Sequence, residues 1–308
     1  MLRSTFLYLS QQPQIFRFVR SNGLAKSFAS RFVAGETIET AMAAVKDLNA
    51  RGITASLDLL GESTTNEAEA RAAQAEYLRL LDEIHARSLD ANVSLKLTAM
   101  GMDLSDDLCV AIVREILERA KAYGNFVRLD MESSDYTERT LRLFETKLYP
   151  GFEANVGIVL QSYLRRTLDD VAFANRINAR VRICKGAYQE PATVAFPEKG
   201  DVDDTYVAAM KQLMQHGRYP GLATHDERII GIAKQFAGQQ GIAKDRFEFQ
   251  MLYGVRRDLQ ESLVKEGYRM RVYVPYGTQW YPYLMRRLAE RPANVAFITG
   301  NVLKEMFA

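Results

Sequence analysis

Beyond Gly35 the chain alternates short apolar runs with amphipathic stretches, and it does so eight times. The apolar runs are Ile53–Leu60, Val93–Thr98, Val127–Met131, Val156–Gln161, Val181–Lys185, Leu222–Thr224, Phe247–Leu252 and Arg271–Val274. Their starts lie about 24 to 41 residues apart, the size of a strand-plus-helix unit. Most are rich in Val, Ile, Leu and Phe, as expected of parallel strands covered on both faces. The intervening stretches carry the helical period. Ala73, Tyr77, Leu80, Leu81 and Ile84 share one face, and Leu108, Ile112, Val113, Ile116 and Leu117 share another. Gly124 and Gly267 stand where helix ends favour a left-handed residue. Asp204 is placed to cap the helix containing Met210, Leu213 and Met214. This pattern predicts an α/β protein, a (β/α)8 TIM-type barrel over residues 36–308 behind an N-terminal helical arm over residues 1–35. An open doubly wound sheet is the alternative, weakened because no GxGxxG follows a strand.

With 308 residues, 47% hydrophobic and 25% charged, the chain has the balance of a globular protein and is neither disordered nor a disulfide scaffold. Forty basic and 38 acidic side chains leave a net charge of +2, too weak to suggest a nucleic-acid partner. Cys109 and Cys184 form no CxxC pair and read as reduced core thiols. Three histidines without an HExxH pair argue against a metal site. The longest stretch free of Asp, Glu, Lys, Arg and His is the fourteen residues from Val272 to Met285. Its prolines and shortness exclude a membrane span.

Residues 1–35 contain no Asp or Glu but carry Arg3, Arg17, Arg20, Lys26 and Arg31. Three readings stand: a helical arm packed on the barrel, an arm touching an anionic membrane surface, and a transit peptide.

Polar residues gather at the C-terminal ends of the expected strands, where barrels of this class keep their chemistry. In chain order these are Glu62; Lys96 and Thr98; Asp130 and Glu132; Gln161 and Tyr163; Arg182, Lys185 and Tyr188; Thr224, His225 and Asp226; Gln250; and Tyr273 and Tyr276. Lys96, Asp130 and Arg182 lie inside apolar runs, so each needs an ionic partner or a ligand. Farther on, Tyr283, Arg286, Arg287 and Glu290 stand at i, i+3, i+4 and i+7, one helical face. Two adjacent guanidiniums there could hold a carboxylate. A solvated charged helix is the rival reading, and the neighbouring Tyr273, Tyr276, Trp280 and Tyr281 favour a pocket wall.

Eight segments in order resemble the proline dehydrogenases, flavin enzymes that oxidise L-proline. They are Leu-Asp-Leu-Leu-Gly-Glu at 57–62, Ser-Leu-Lys-Leu-Thr at 94–98, Val-Arg-Leu-Asp-Met-Glu at 127–132 and Val-Leu-Gln-Ser-Tyr at 159–163. Arg-Ile-Cys-Lys-Gly-Ala-Tyr at 182–188, Ala-Thr-His-Asp at 223–226, Phe-Glu-Phe-Gln at 247–250 and Tyr283-x-x-Arg286-Arg287-x-x-Glu290-x-x-x-Asn294 complete the set. The length fits the short monofunctional form. Gln189 and Asp226 depart from the Trp and Asn common in bifunctional members.

The resemblance implies non-covalent FAD, L-proline as substrate and a quinone as onward electron acceptor, which would give the basic arm a membrane to touch. It implies that Arg286, Arg287 and Lys96 hold the substrate carboxylate, with Leu252, Tyr273 and Tyr283 lining the pocket and Glu62 gating it through Arg286. Asp130 and Arg182 would be the residues nearest the chemistry, Asp130 orienting Lys96 or a cofactor group. Met131, Gln161, Arg182, Lys185, Gly186, Ala187, Thr224, His225, Gln250 and Glu290 would contact FAD. A cytoplasmic enzyme, peripheral to the inner membrane, is expected in preference to a mitochondrial one. Two rivals remain at this stage: a Schiff-base aldolase using Lys96 or Lys185, and a non-catalytic barrel binding small anions.

Overall fold

The computed structural model describes residues 30–290, with side chains described as far as Met285. Eight parallel strands close into a barrel in chain order: β1 (Thr54–Leu59), β2 (Ala91–Lys96), β3 (Val127–Asp130), β4 (Val156–Gln161), β5 (Arg180–Cys184), β6 (Gly221–Ala223), β7 (Glu248–Leu252) and β8 (Arg269–Tyr276). The ring closes where β1 pairs with β8, Ala55 opposite Val272. Helix α1 (Ile38–Ala50) precedes β1 and packs against β1 and β8. One helix then follows each strand: α2 (Glu67–Ala86), α3 (Asp106–Ala122), α4 (Ser134–Leu143), α5 (Thr167–Arg176), α6 (Lys199–His216), α7 (Glu227–Gln240), α8 (Arg257–Lys265) and α9 (Trp280–Glu290).

The outer core lies between strands and helices. Tyr77, Leu80, Leu81 and Ile84 of α2 and Ile112, Val113, Ile116 and Leu117 of α3 are buried, as their spacing predicts. Burial of each such side chain contributes about 1.5–3 kcal/mol. Asn66 and Ser105 cap these two helices by accepting from the amides of Glu69 and Leu108. Gly124 and Gly267 take left-handed φ values of 62° and 81° just past α3 and α8. Asp204 is not a cap. Helix α6 starts at Lys199, so Asp204 sits in its second turn, where the amides are already bonded.

Strand ends also move. β2 starts and stops two residues before the expected Val93–Thr98, because Thr98 turns out of the sheet into a short 3-10 turn, Thr98–Met100. β8 runs on through Pro275 to Tyr276, since the last residues of a strand can do without an N–H. Of the expected helical arm, residues 1–29 lie outside the described residues. The described remainder is a turn and an extended strap tied to the barrel: Ala34 N–H donates to Pro275 O at 2.8 Å and Gly277 N–H to Gly35 O at 3.0 Å. Val33 and Leu60 pack with Trp280, Tyr281, Tyr283 and Leu284, which seats the start of α9 at the C-terminal end of the barrel.

The barrel interior is polar, whereas such interiors ordinarily fill with branched apolar side chains. Every second residue of several strands points inward: Ser56 and Asp58, Ser94 and Lys96, Arg128 and Asp130, Arg180 and Arg182, Glu248 and Gln250, Arg271 and Tyr273. Cross-barrel bonds show it, for Arg182 on β5 reaches Ser56 on β1, Ser94 on β2, Asp130 on β3 and Gln250 on β7. Two glycines make the room. A Cβ on Gly157 would stand 2.7 Å from the Arg128 guanidinium, and one on Gly221 would stand 2.4 Å from the Gln250 amide.

Candidate active site

Two buried ion pairs stand toward the C-terminal mouth. Lys96 Nζ lies 3.1 and 3.2 Å from the two carboxylate oxygens of Asp58, with side chains 11% and 1% exposed. Burial pushes the Asp58 carboxyl up to about 6, against the pull of Lys96. Burial also works against the Lys96 ammonium, but the charges of Asp58 and Asp130 outweigh it and its pKa rises. Lys96 is therefore an ammonium, not a free amine. This removes it as a Schiff-base nucleophile. Lys185 is likewise committed, to Asp203 at 2.6 Å and Asp226 at 3.1 Å.

Arg182 is the hub of the second pair. It donates to Asp130 Oδ1 at 2.7 Å, to Gln250 Oε1 at 2.5 Å, and to the hydroxyls of Ser94 and Ser56 at 3.2 and 3.3 Å. Asp130 also accepts from Ser94 at 2.7 Å and from the Tyr273 hydroxyl at 2.8 Å. Asp130 thus orients Arg182 and Tyr273; the lysine it was expected to orient is held by Asp58. Gln250 is buried inside this network, donating to Glu248 at 2.6 Å, which in turn accepts from Arg271 at 2.8 Å. Gln250 is thereby a support beneath Arg182. Burial alone would raise Glu248, yet Arg271 and the Gln250 amide hold it at about 2.

Around the mouth from β3 to β7 lies a second group. Gln161 donates to the carbonyls of Met131 and Glu132, both at 3.2 Å, and its buried Oε1 has no hydrogen-bond partner among the described residues. Gly186 has φ +104°, and a Cβ there would meet the Tyr163 ring at 2.3 Å, so no other residue fits. Half-buried Ala187 follows it. Thr224 is buried and its hydroxyl accepts from Asp226 N–H at 3.1 Å. His225 Nε2 accepts from Leu252 N–H at 3.0 Å, so that nitrogen carries no proton and the imidazole ties the β6 loop to the end of β7. Leu252 is half-buried at that end.

Glu62 is half-buried on the loop after β1, and Tyr283 is 7% exposed on α9. The side chains of Arg286, Arg287 and Glu290 lie outside the described residues; their backbone belongs to α9.

Sequence reasoning did not single out Asp58, Ser56, Ser94, Glu248 or Arg271 as members of the site's network. The signal was present: a polar residue at every second position of an apolar run marks an inward row. Glu132 was noted but not placed in the site. It is buried, accepts from the Thr98 hydroxyl at 2.6 Å, and burial pushes its carboxyl to about 7.

A barrel mouth lined by guanidinium and ammonium groups, each fixed from below, can receive a small anion and neutralise charge that develops beside it. Comparisons with known proteins identify the family. Residues 41–300 match the family model described as proline dehydrogenase. The chain is 44% identical over 305 residues to proline dehydrogenase 1 of Bacillus subtilis subsp. natto, covering 99% of this chain and 100% of that one. It is equally similar, 44% over 305 residues, to proline dehydrogenase of Deinococcus radiodurans, covering 98% of each. Among solved structures it superposes on proline utilization A of Bdellovibrio bacteriovorus, inactivated by N-propargylglycine, with a TM-score of 0.80 at 29% identity. That match covers 90% of this chain and 34% of that longer one. The chain belongs to the proline dehydrogenase family of oxidoreductases.

Proposed function

We propose that this enzyme oxidises L-proline to 1-pyrroline-5-carboxylate, the first step of proline degradation, with FAD as the non-covalently bound hydride acceptor and a quinone as the onward acceptor. The observation that carries the reading is the cationic mouth: Lys96 and Arg182, each rigidly paired from below, at the end of the barrel where α9 brings Arg286 and Arg287 into the chain path.

The residues present fit a flavin. The orphaned, buried Gln161 Oε1 calls for an N–H donor, and an isoalloxazine ring carries one. Gln161, Lys185, Gly186, Ala187, Thr224, His225, Met131 and Glu290 would hold it. Bound FAD supplies the hydride acceptor. The chain's own residues do the rest. Lys96, Arg286 and Arg287 grip the substrate carboxylate through charge-assisted hydrogen bonds, each worth about 1.5–3 kcal/mol. Tyr273, Tyr283 and Leu252 enclose the ring, and Glu62 closes over it through Arg286, which excludes water. Clustered cations also disfavour a charged substrate ammonium, so the amine keeps the lone pair that expels the hydride. Arg182 stabilises negative charge developing on the acceptor, and Asp130 keeps its guanidinium in place. The basic arm would bring the enzyme to a quinone-bearing membrane.

The test is spectroscopic. Purified protein loaded with FAD and kept anaerobic should lose its visible flavin band when L-proline is added. A colourless protein that takes up no FAD, or an unchanged band under saturating proline, would reject the reading.

A further inference from the structure

The opposite, N-terminal mouth of the barrel also carries an unused cationic site. An open cleft of about 370 Å³ lies between the end of α2 and the loops entering β2 and β3, with Asn92, Arg180 and Arg271 among its lining residues. Inside this end of the barrel, Arg128, Arg180 and Arg271 share one carboxylate, Glu248. Arg271 takes it, at 2.8 Å. Among the described residues Arg128 donates to the carbonyls of Ile158 and Arg180, at 3.0 and 2.7 Å, and to no carboxylate.

Arg180 has nothing comparable. The Phe126 and Tyr219 rings lie 4.2 and 4.7 Å from its guanidinium, so stacking occupies the planar group. Its edge carries the N–H donors, and these meet no acceptor among the described residues; the buried Nε is left without a partner. Asn92, 7% exposed, is a second orphan on the same cleft, its buried Oδ1 likewise unpartnered. Its amide can turn either atom to a ligand. The acidic group on the rim is Asp90, which is exposed. A partly buried guanidinium whose N–H edge meets no acceptor among the described residues thus stands beside an unpartnered amide in a cleft of ligand size.

We propose that the N-terminal mouth of the barrel is a second small-molecule site, which binds a small oxyanion, a phosphate or a carboxylate, through the Arg180 guanidinium and the Asn92 amide. Burial and the neighbouring Arg271 charge, offset in part by Glu248, lower the Arg180 pKa; the negative charge of a bound oxyanion opposes that lowering. Arg180 opens β5 and Arg182 follows two residues on, and the cleft opens at the mouth opposite the one where Lys96 stands.

Isothermal titration of the full-length, FAD-loaded protein with inorganic phosphate and separately with succinate, at an ionic strength fixed with chloride, tests this. Saturable binding of at least one anion is expected, the tighter of the two identifying the source. Arg180→Gln and Asn92→Asp, which sets a carboxylate inside the cleft, should each weaken it about tenfold or more while leaving the KM for proline unchanged. Asn92→Asp leaves the aromatic stack around Arg180 intact and serves should Arg180→Gln fail to fold. Absence of saturable binding to the wild type would overturn the proposal. Binding kept within twofold in both variants, or lost together with a rise in the proline KM, would overturn it as well.

Discussion

Replacing Asp58 by Asn isolates the support of the cationic mouth. Asp58 offers both oxygens to Lys96 at 3.1 and 3.2 Å, with 1% of its side chain exposed. At an effective dielectric of about 20, two charges 3.1 Å apart attract by about 5 kcal/mol before desolvation is counted. Removing one partner of a buried pair leaves the other uncompensated, which typically costs about 3–5 kcal/mol. Asp58→Asn should therefore lose about that much stability in urea unfolding of the FAD-loaded protein near neutral pH. With Asp58 gone, burial dominates Lys96 and its pKa falls below the unfolded value. The folded state then binds fewer protons than the unfolded state, so the variant should regain stability as pH rises through the alkaline range. Lys96→Met combined with Asp58→Asn removes both charges and should recover at least about 2 kcal/mol relative to the sum of the single losses. The reasoning fails if Asp58→Asn costs less than about 1 kcal/mol, or if the double variant is simply additive.

Three further outcomes follow. Arg182→Ala should leave a folded protein that binds FAD but reduces it slowly in single turnover with proline; wild-type reduction would remove Arg182 from the chemistry. Glu132, raised from 4.5 to about 7 by burial, holds a proton in the fold that the unfolded chain has released. Its stabilising contribution is present below pH 4.5 and lost as pH rises through about 7, amounting to about 3 kcal/mol; Glu132→Gln should flatten the stability profile across that window, and an unaltered profile would assign the slope to other groups. Gln161→Leu satisfies the orphaned acceptor by deleting it, so FAD affinity measured by fluorescence quenching should fall about tenfold, and an unchanged affinity would place the cofactor elsewhere.

The barrel itself was legible because its signal is long and repeated: eight apolar runs, each one strand-plus-helix unit from the next, separated by helical faces such as Tyr77, Leu80, Leu81 and Ile84, all of which are buried. Strand ends were less legible, because β2 is ended by a turn that lets Thr98 reach Glu132, a tertiary bond with no local signature. Asp204 failed as a cap since helix α6 begins without any side-chain cap. Charges inside apolar runs marked Lys96, Asp130 and Arg182 correctly as residues needing partners, but spacing cannot say which partner. Asp130 lies opposite Lys96 in the β2–β3 register yet bonds to Arg182 across the barrel. The inward polar rows could have been read from period-two alternation, and Asp58, Glu248 and Arg271 would then have joined the network.

The central claim is that a cationic cradle at the C-terminal mouth holds the substrate by its carboxylate. The most direct measurement compares L-proline with pyrrolidine, the same ring without that carboxylate, in the wild type, Lys96→Met and Arg287→Met. For proline each variant should lose about tenfold or more in kcat/KM, as expected from one charge-assisted contact of about 1.5–3 kcal/mol. For pyrrolidine all three proteins should perform alike. Equal losses on both substrates, or no loss on proline, would contradict the account.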